Sequence, residues 1–194
     1  MAGEACITVR FGTVHGTIFG GPFVKAPRGA RRMVTVKMAK EISAPHDISI
    51  PTEDFNVPSM GDMNAGVLEA LALMADGNDL YVGCWGGIGR TGLFMAVMAK
   101  IMFAYHQQQV APVAFVREKY NQHAVETAQQ MRFVDDYDVT GAIKLLEDLQ
   151  RGRTKVVVKE VTKEVYRDVV RNTLCERVSG AVSRTMKSIL DKLS

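Results

Sequence analysis

Residues 79–105 constrain this chain more than any other segment. A short apolar strand, Asp79-Leu80-Tyr81-Val82, runs into a glycine-dense loop from 83 to 92, and an apolar stretch from 93 to about 105 follows. An apolar run of that length reads as a buried helix. Strand, glycine loop and buried helix in succession gather main-chain N–H groups around an anion at a helix N-terminus, where the aligned peptide dipoles favour negative charge.

The rest of the chain supplies elements to support such a loop. Residues 7–36 are rich in Val, Ile, Thr and Phe and are punctuated by glycines, which reads as short strands joined by turns. The basic cluster Arg28, Arg31 and Arg32 falls on a loop there. Pro45, Pro51 and Pro58 mark an extended, non-helical passage over 47–60. Helices are expected over 66–76, 113–120, 124–137 and 139–149.

With 47% hydrophobic residues in 194, the chain can bury a real core. It has no apolar run long enough to predict a membrane-spanning helix, and its first residues lack the basic-then-apolar layout of a secretory signal. Cys6, Cys84 and Cys175 are odd in number and far apart, with no Cys-x-x-Cys pair. That argues against a disulfide framework or a zinc site and for a reducing, cytoplasmic setting. His15, His46, His106 and His123 have no metal-ligand spacing, so neither a metal nor a cofactor is expected.

A boundary is expected near 150. From Arg151 onward there are eleven Lys and Arg against five Asp and Glu. The signs alternate, as in Lys159-Glu160, Lys163-Glu164 and Arg167-Asp168, which suits a solvated helix face better than a nucleic-acid or membrane site. Val158, Val161, Val165 and Val169 recur at helical spacing, and Val178, Val182, Met186, Ile189 and Leu193 continue the stripe. The chain thus divides into a compact domain, 1–150, and an amphipathic helical extension, 151–194. Packing of that extension on the core and homo-oligomer formation both remain open. Cys175 on it reads as a small apolar residue.

Cys84-Trp85-Gly86-Gly87-Ile88-Gly89-Arg90-Thr91-Gly92 suits the grip of a phosphoryl group. Glycines let the backbone curl closely around a ligand, and the amides of Trp85, Gly86, Gly87, Ile88, Gly89 and Arg90 can point inward as donors. A cysteine at the head of that cup has its thiolate stabilised by the same dipoles. Arg90 returns a planar fork matched to two phosphate oxygens and to the charge that spreads over them during transfer. The Thr91 hydroxyl is placed to stabilise the thiolate as a leaving group. Gly87-Ile88-Gly89-Arg90-Thr91-Gly92 also satisfies G-x-G-x-x-G, but a dinucleotide site wants an acidic residue about twenty positions on, and 111–116 has none. A Walker loop would need Gly-Lys-Ser/Thr.

Cys84-x5-Arg90-Thr91-Gly92 resembles the signature of the protein-tyrosine and dual-specificity phosphatase superfamily. Asp54-Phe55-Asn56-Val57-Pro58 is similar to that family's mobile acid loop, with Thr52-Glu53 where a Trp-Pro pair is usual and Ile50-Pro51 as a substitute anchor. The resemblance makes Asp54 the general acid and base, with Glu53 a weaker candidate. Glu126-Thr127-Ala128-Gln129-Gln130-Met131-Arg132-Phe133 resembles the family's Gln-Thr-Ala-x-Gln-x-x-Phe, which implies accessory roles for Gln130 and for Glu126, the latter standing where a water-orienting glutamine is usual. Gly83 replaces the histidine that commonly precedes the cysteine.

The resemblance implies an α/β fold, a central, mostly parallel sheet flanked by helices, in a compact dual-specificity-like member. It implies hydrolysis of a phosphate monoester through a phosphocysteine, without metal, acting on a phosphorylated protein or small phosphate ester. The alternative is a repurposed, inactive cup that binds a phosphorylated protein or a nucleotide without turnover. Trp85 is expected either to stack on a ligand ring or to pack under the loop.

Overall fold

In the computed structural model, residues 5–151 are described, so the expected helical extension, 151–194, lies outside the described residues apart from Arg151. Five strands form one sheet in the order β1 (Cys6–Phe11), β2 (Val14–Pro22), β5 (Asp79–Cys84), β3 (Met33–Ala39), β4 (Ile48–Thr52). Only the β1–β2 hairpin is antiparallel; β2, β5, β3 and β4 run parallel. This is the mostly parallel α/β sheet expected above.

Side-chain alternation follows from position in the sheet. Edge strand β1 buries Ile7, Val9 and Phe11 while Thr8 and Arg10 face solvent. Central strands β3 and β5 are covered on both faces and are almost continuously buried, as parallel strands under helices must be. Helix α2 (Gly89–Tyr105) is buried along most of its length, against the sheet on one side and α3 (Pro112–Lys119) and α4 (Ala128–Asp136) on others. Helices α1 (Met60–Ala75) and α5 (Thr140–Gln150) pack on each other and on the sheet. No helix among the described residues is long and apolar enough to cross a membrane.

Three boundaries differ from the sequence expectation. Helix α1 begins at Met60, six residues before the apolar pattern does, because Ser59 caps it: its Oγ accepts from the Asp62 N–H at 3.0 Å. Helix α4 begins at Ala128 rather than 124, because Thr127 and Gln130 form a capping box there. The preceding turn, with Val125 at φ 59, is held open by Arg117, whose Nε and terminal N–H donate to the carbonyls of Ala124 and Val125 at 3.0 and 2.9 Å. The glycine loop is also shorter than 83–92. Strand β5 continues through Cys84 and α2 starts at Gly89, so only four residues make the turn.

The parallel strands end together. Pro22 pairs with Cys84, Lys37 with Gly83, and Ala39 with Thr52. The carboxyl ends of β2, β5, β3 and β4 therefore form one rim, where open α/β sheets bind ligands.

One buried group sets a pH dependence for the fold. Asp47, at the entrance to β4, accepts from the Thr35 N–H and hydroxyl, both at 2.8 Å. Glu69 of α1 lies near it, and its Oε1 is the one buried side-chain N or O atom without a partner among the described residues. Burial first, then the Asp47 carboxylate, push Glu69 up to about 7 from an ordinary 4.5. Since the folded value lies above the unfolded one, this group's contribution is intact below 4.5 and is lost as pH rises through about 7. Glu69→Gln should therefore raise the melting temperature by several degrees at about pH 8.5, with the gain shrinking toward pH 5. An equal gain at both pH values in a thermal melt would contradict this.

Candidate functional site

Cys84 is the last residue of β5 and is 3% exposed. Its sulfur accepts from the Gly87 N–H at 3.2 Å and the Thr91 hydroxyl at 3.3 Å. Both donors belong to the turn and first helical residues that follow, so the loop curls back over the sulfur. Gly87 sits at φ 74, in the left-handed region that a side chain disfavours. A Cβ there would also lie 2.3 Å from the Gly21 carbonyl carbon. The end of β2 thus backs the loop directly.

Gly83 explains the missing histidine. A Cβ at this position would come within 2.7 Å of Phe23 Cα and 2.9 Å of the Gly21 carbonyl oxygen. Both are backbone atoms of the β2 end and the 3-10 turn Phe23–Lys25, which cannot swing aside. The close approach that fixes the loop leaves no room for any side chain before the cysteine.

Arg90, in the first turn of α2, is 2% exposed. One terminal nitrogen donates to Glu41 Oε2 and to the Thr52 carbonyl, each at 2.9 Å. The other donates to Glu41 Oε1 at 2.7 Å and meets Asp54 Oδ1 at 2.9 Å. Glu41, just beyond β3, therefore grips the far edge of the fork in the bidentate manner that suits guanidinium and carboxylate. Among the described residues the Nε–H has no hydrogen-bond partner, so Nε and the nitrogen shared with Asp54 form the edge that can face an anion. Burial works against the Arg90 charge, but Glu41 chiefly, then the cysteine sulfur and Asp54, outweigh it and hold the guanidinium above its ordinary pKa. The hydrogen bonds from Arg90 in turn hold Glu41 below its usual value.

Beneath this pair lies Lys37 of β3, a buried lysine whose Nζ donates to the Ile42 carbonyl at 2.9 Å. Burial lowers its pKa, opposed by Glu41. It ties down the segment that carries Glu41.

Asp54 sits in an exposed turn after β4. Ile50 anchors that strand: it is fully buried and fills the space above Gly66 of α1. Phe55 holds φ 55 and is 61% exposed. Glu53 points away from the cup and pairs with Lys40 at 3.0 Å.

Gln130 is neither a solvated helix residue nor an open contact to the cup. It is fully buried; its Oε1 accepts from the Glu126 and Thr127 N–H groups at 2.8 and 3.3 Å, and its Nε2 donates to the Asn56 carbonyl at 3.1 Å. It thus joins the N-terminus of α4 to the turn that carries Asp54, two residues away. The Glu126 carboxylate lies against Gly89, where a Cβ would fall 1.9 Å from Oε2. Trp85 does not pack under the loop: it is 66% exposed.

The structure therefore brings Cys84, Thr91, Arg90, Asp54 and the amides of 85–90 to one rim, with Gln130 and Glu126 at its margin. Sequence reasoning missed Glu41, Lys37 and Tyr120, whose hydroxyl donates to the Gly87 carbonyl. Glu41 lies 49 positions from Arg90, and the only signal was the charged pair Lys40-Glu41 after a buried strand.

The close approach at Gly83 makes a stability prediction. Gly83→Ala should lower the melting temperature by roughly 5 °C through overpacking against backbone. Gly86→Ala, whose Cβ would meet nothing within 4 Å, should leave it nearly unchanged. Equal shifts in the two variants would contradict the assigned role of Gly83.

A family model described as "Swiss Army Knife protein, DSP-PTPase phosphatase domain" matches residues 31–142, more than half of the chain. Two uncharacterized proteins of Methanocaldococcus jannaschii are each 35% identical over 88 residues, or 45% of this chain. The match covers 56% and 52% of those relatives, so the chain spans about half their length. A solved structure described as Tk-PTP in the active form is similar at 21% identity and a TM-score of 0.48, over 62% of this chain and 89% of that one.

Proposed function

The chain belongs to the Swiss Army Knife DSP-PTPase phosphatase family, and from that premise we propose that it hydrolyses phosphate monoesters through a phosphocysteine on Cys84. The observation that carries this reading is a buried cysteine sulfur accepting two hydrogen bonds from the loop that leads to Arg90, with Asp54 already at the guanidinium edge.

The substrate dianion enters the cup, takes the loop amides and the Nε edge of Arg90, and displaces Asp54 from the shared nitrogen. The Cys84 thiolate attacks phosphorus in line; the S–P bond forms as the ester O–P bond breaks. Asp54, released beside the departing oxygen, takes up a proton from solvent and delivers it to that oxygen. Water then attacks the phosphocysteine, Asp54 takes the water proton, and the S–P bond breaks. The thiolate returns to the hydrogen bonds of Thr91 and Gly87. Through both steps Arg90 and the amides stabilise charge on the equatorial oxygens without reorganising, because Glu41 has fixed the fork beforehand.

The exposed aromatics beside the nucleophile and the acid, Trp85 and Phe55, favour a substrate that presents an aromatic or apolar group next to its phosphate, as a phosphotyrosine protein would.

Steady-state assays test the reading. Cys84→Ser should abolish turnover of p-nitrophenyl phosphate. Asp54→Ala should slow phenyl phosphate by about a hundredfold or more, since that leaving group needs a proton, and p-nitrophenyl phosphate by much less. Turnover that survives Cys84→Ser would refute the mechanism. Phosphate-ester binding without turnover in the wild type would favour the inactive-cup alternative.

A further inference from the structure

With Gly83 unable to carry a side chain, another group must fasten the back of the phosphate loop, and the geometry points to Tyr120 as that positioning residue. Tyr120 follows the last turn of α3, and its ring fills the slot over Gly20 of β2, where a Cβ would meet the phenol carbons and hydroxyl at 2.6 Å. Its hydroxyl donates to the Gly87 carbonyl. Burial first, then Cys84 and Tyr81, raise its pKa above the ordinary phenol value, which favours the protonated, donating form.

Gly87 is the residue that needs such a tether. Its N–H points to the Cys84 sulfur, and its carbonyl must therefore be kept out of the cup, where an oxygen dipole would repel both thiolate and phosphate. The close approach of Gly21 backs this residue from one side, and Tyr120 holds its carbonyl from another. The Tyr120 hydrogen bond turns the carbonyl outward, and so keeps the next amide, that of Ile88, facing inward. The effect reaches substrate only through the loop, so Tyr120 positions and does not itself react.

This inference rests on the phosphoryl-cup reading, and its test separates the two. Tyr120→Phe keeps the ring over Gly20 and removes only the donor. The rate of Cys84 alkylation by iodoacetamide at fixed neutral pH should fall roughly fivefold, the loss of about one hydrogen bond. kcat for p-nitrophenyl phosphate should fall with it, and KM should rise. Tyr105→Phe is the control, since it loses a hydroxyl bonded at 2.6 Å to Gln150, remote from the loop; it should leave the alkylation rate unchanged. A lowered melting temperature with unchanged alkylation in Tyr120→Phe would overturn the proposal, as would equal slowing in Tyr105→Phe. If the wild type shows no turnover yet Tyr120→Phe still slows alkylation, the tether stands and the hydrolase reading falls.

Discussion

A guanidinium almost wholly withdrawn from water must be met by oxygen on each edge it does not offer to a ligand, or the cost of burying its charge unfolds the site. Arg90 meets that demand with three groups from three separate segments: the Glu41 carboxylate beyond β3, the Thr52 carbonyl at the end of β4, and the Asp54 carboxylate in the turn after it. The partners divide by permanence. Glu41 and Thr52 hold the edge that faces the protein, whereas Asp54 is mostly exposed and holds the edge that faces the cup. On the proposed mechanism, a dianion arriving at the cup would compete only with Asp54 and would free its carboxyl for proton transfer.

The remainder of the site follows from the sheet. Because β2, β5, β3 and β4 are parallel and end in register, each delivers one part of the site at its carboxyl end without a long excursion. The cup lies between β5 and α2, its backing comes from β2, and its arginine clamp from the β3 and β4 ends. Rigidity comes from close backbone approach at Gly83 and Gly87. A loop fixed by such contacts has its donors aimed before the ligand arrives, and preorganisation of that kind makes backbone dipoles effective at charge stabilisation. Gln130 extends the framework, since one buried amide both caps α4 and donates to the Asn56 carbonyl of the turn that carries Asp54.

What the sequence disclosed was what lies close together along it. Cys84 to Thr91 is a single uninterrupted stretch, so strand, turn and helix start could be read in order, and the acid loop was visible as a local string around Asp54. The α1 and α4 starts were misplaced where apolar periodicity was trusted over capping chemistry; Ser59-x-x-Asp62 and Thr127-x-x-Gln130 carried the correct boundaries. Glu41, Lys37 and Tyr120 were out of reach for another reason. Glu41 and Tyr120 act on partners dozens of positions away, and Lys37, bonded to Ile42 five positions on, is marked by nothing in its residue type. Gln130 stands in a legible string, but its burial and its bond to Asn56 depend on how α4 meets the turn that carries Asp54.

The most direct test of the central claim is to catch the phosphoryl group on the sulfur. Asp54→Ala should slow hydrolysis of the intermediate more than its formation from p-nitrophenyl phosphate, whose leaving group needs no proton. Rapid denaturing quench followed by peptide mass mapping should then find one phosphoryl group on the peptide that carries Cys84. Turnover with that peptide unmodified, or with the phosphoryl group on any other residue, would contradict the account.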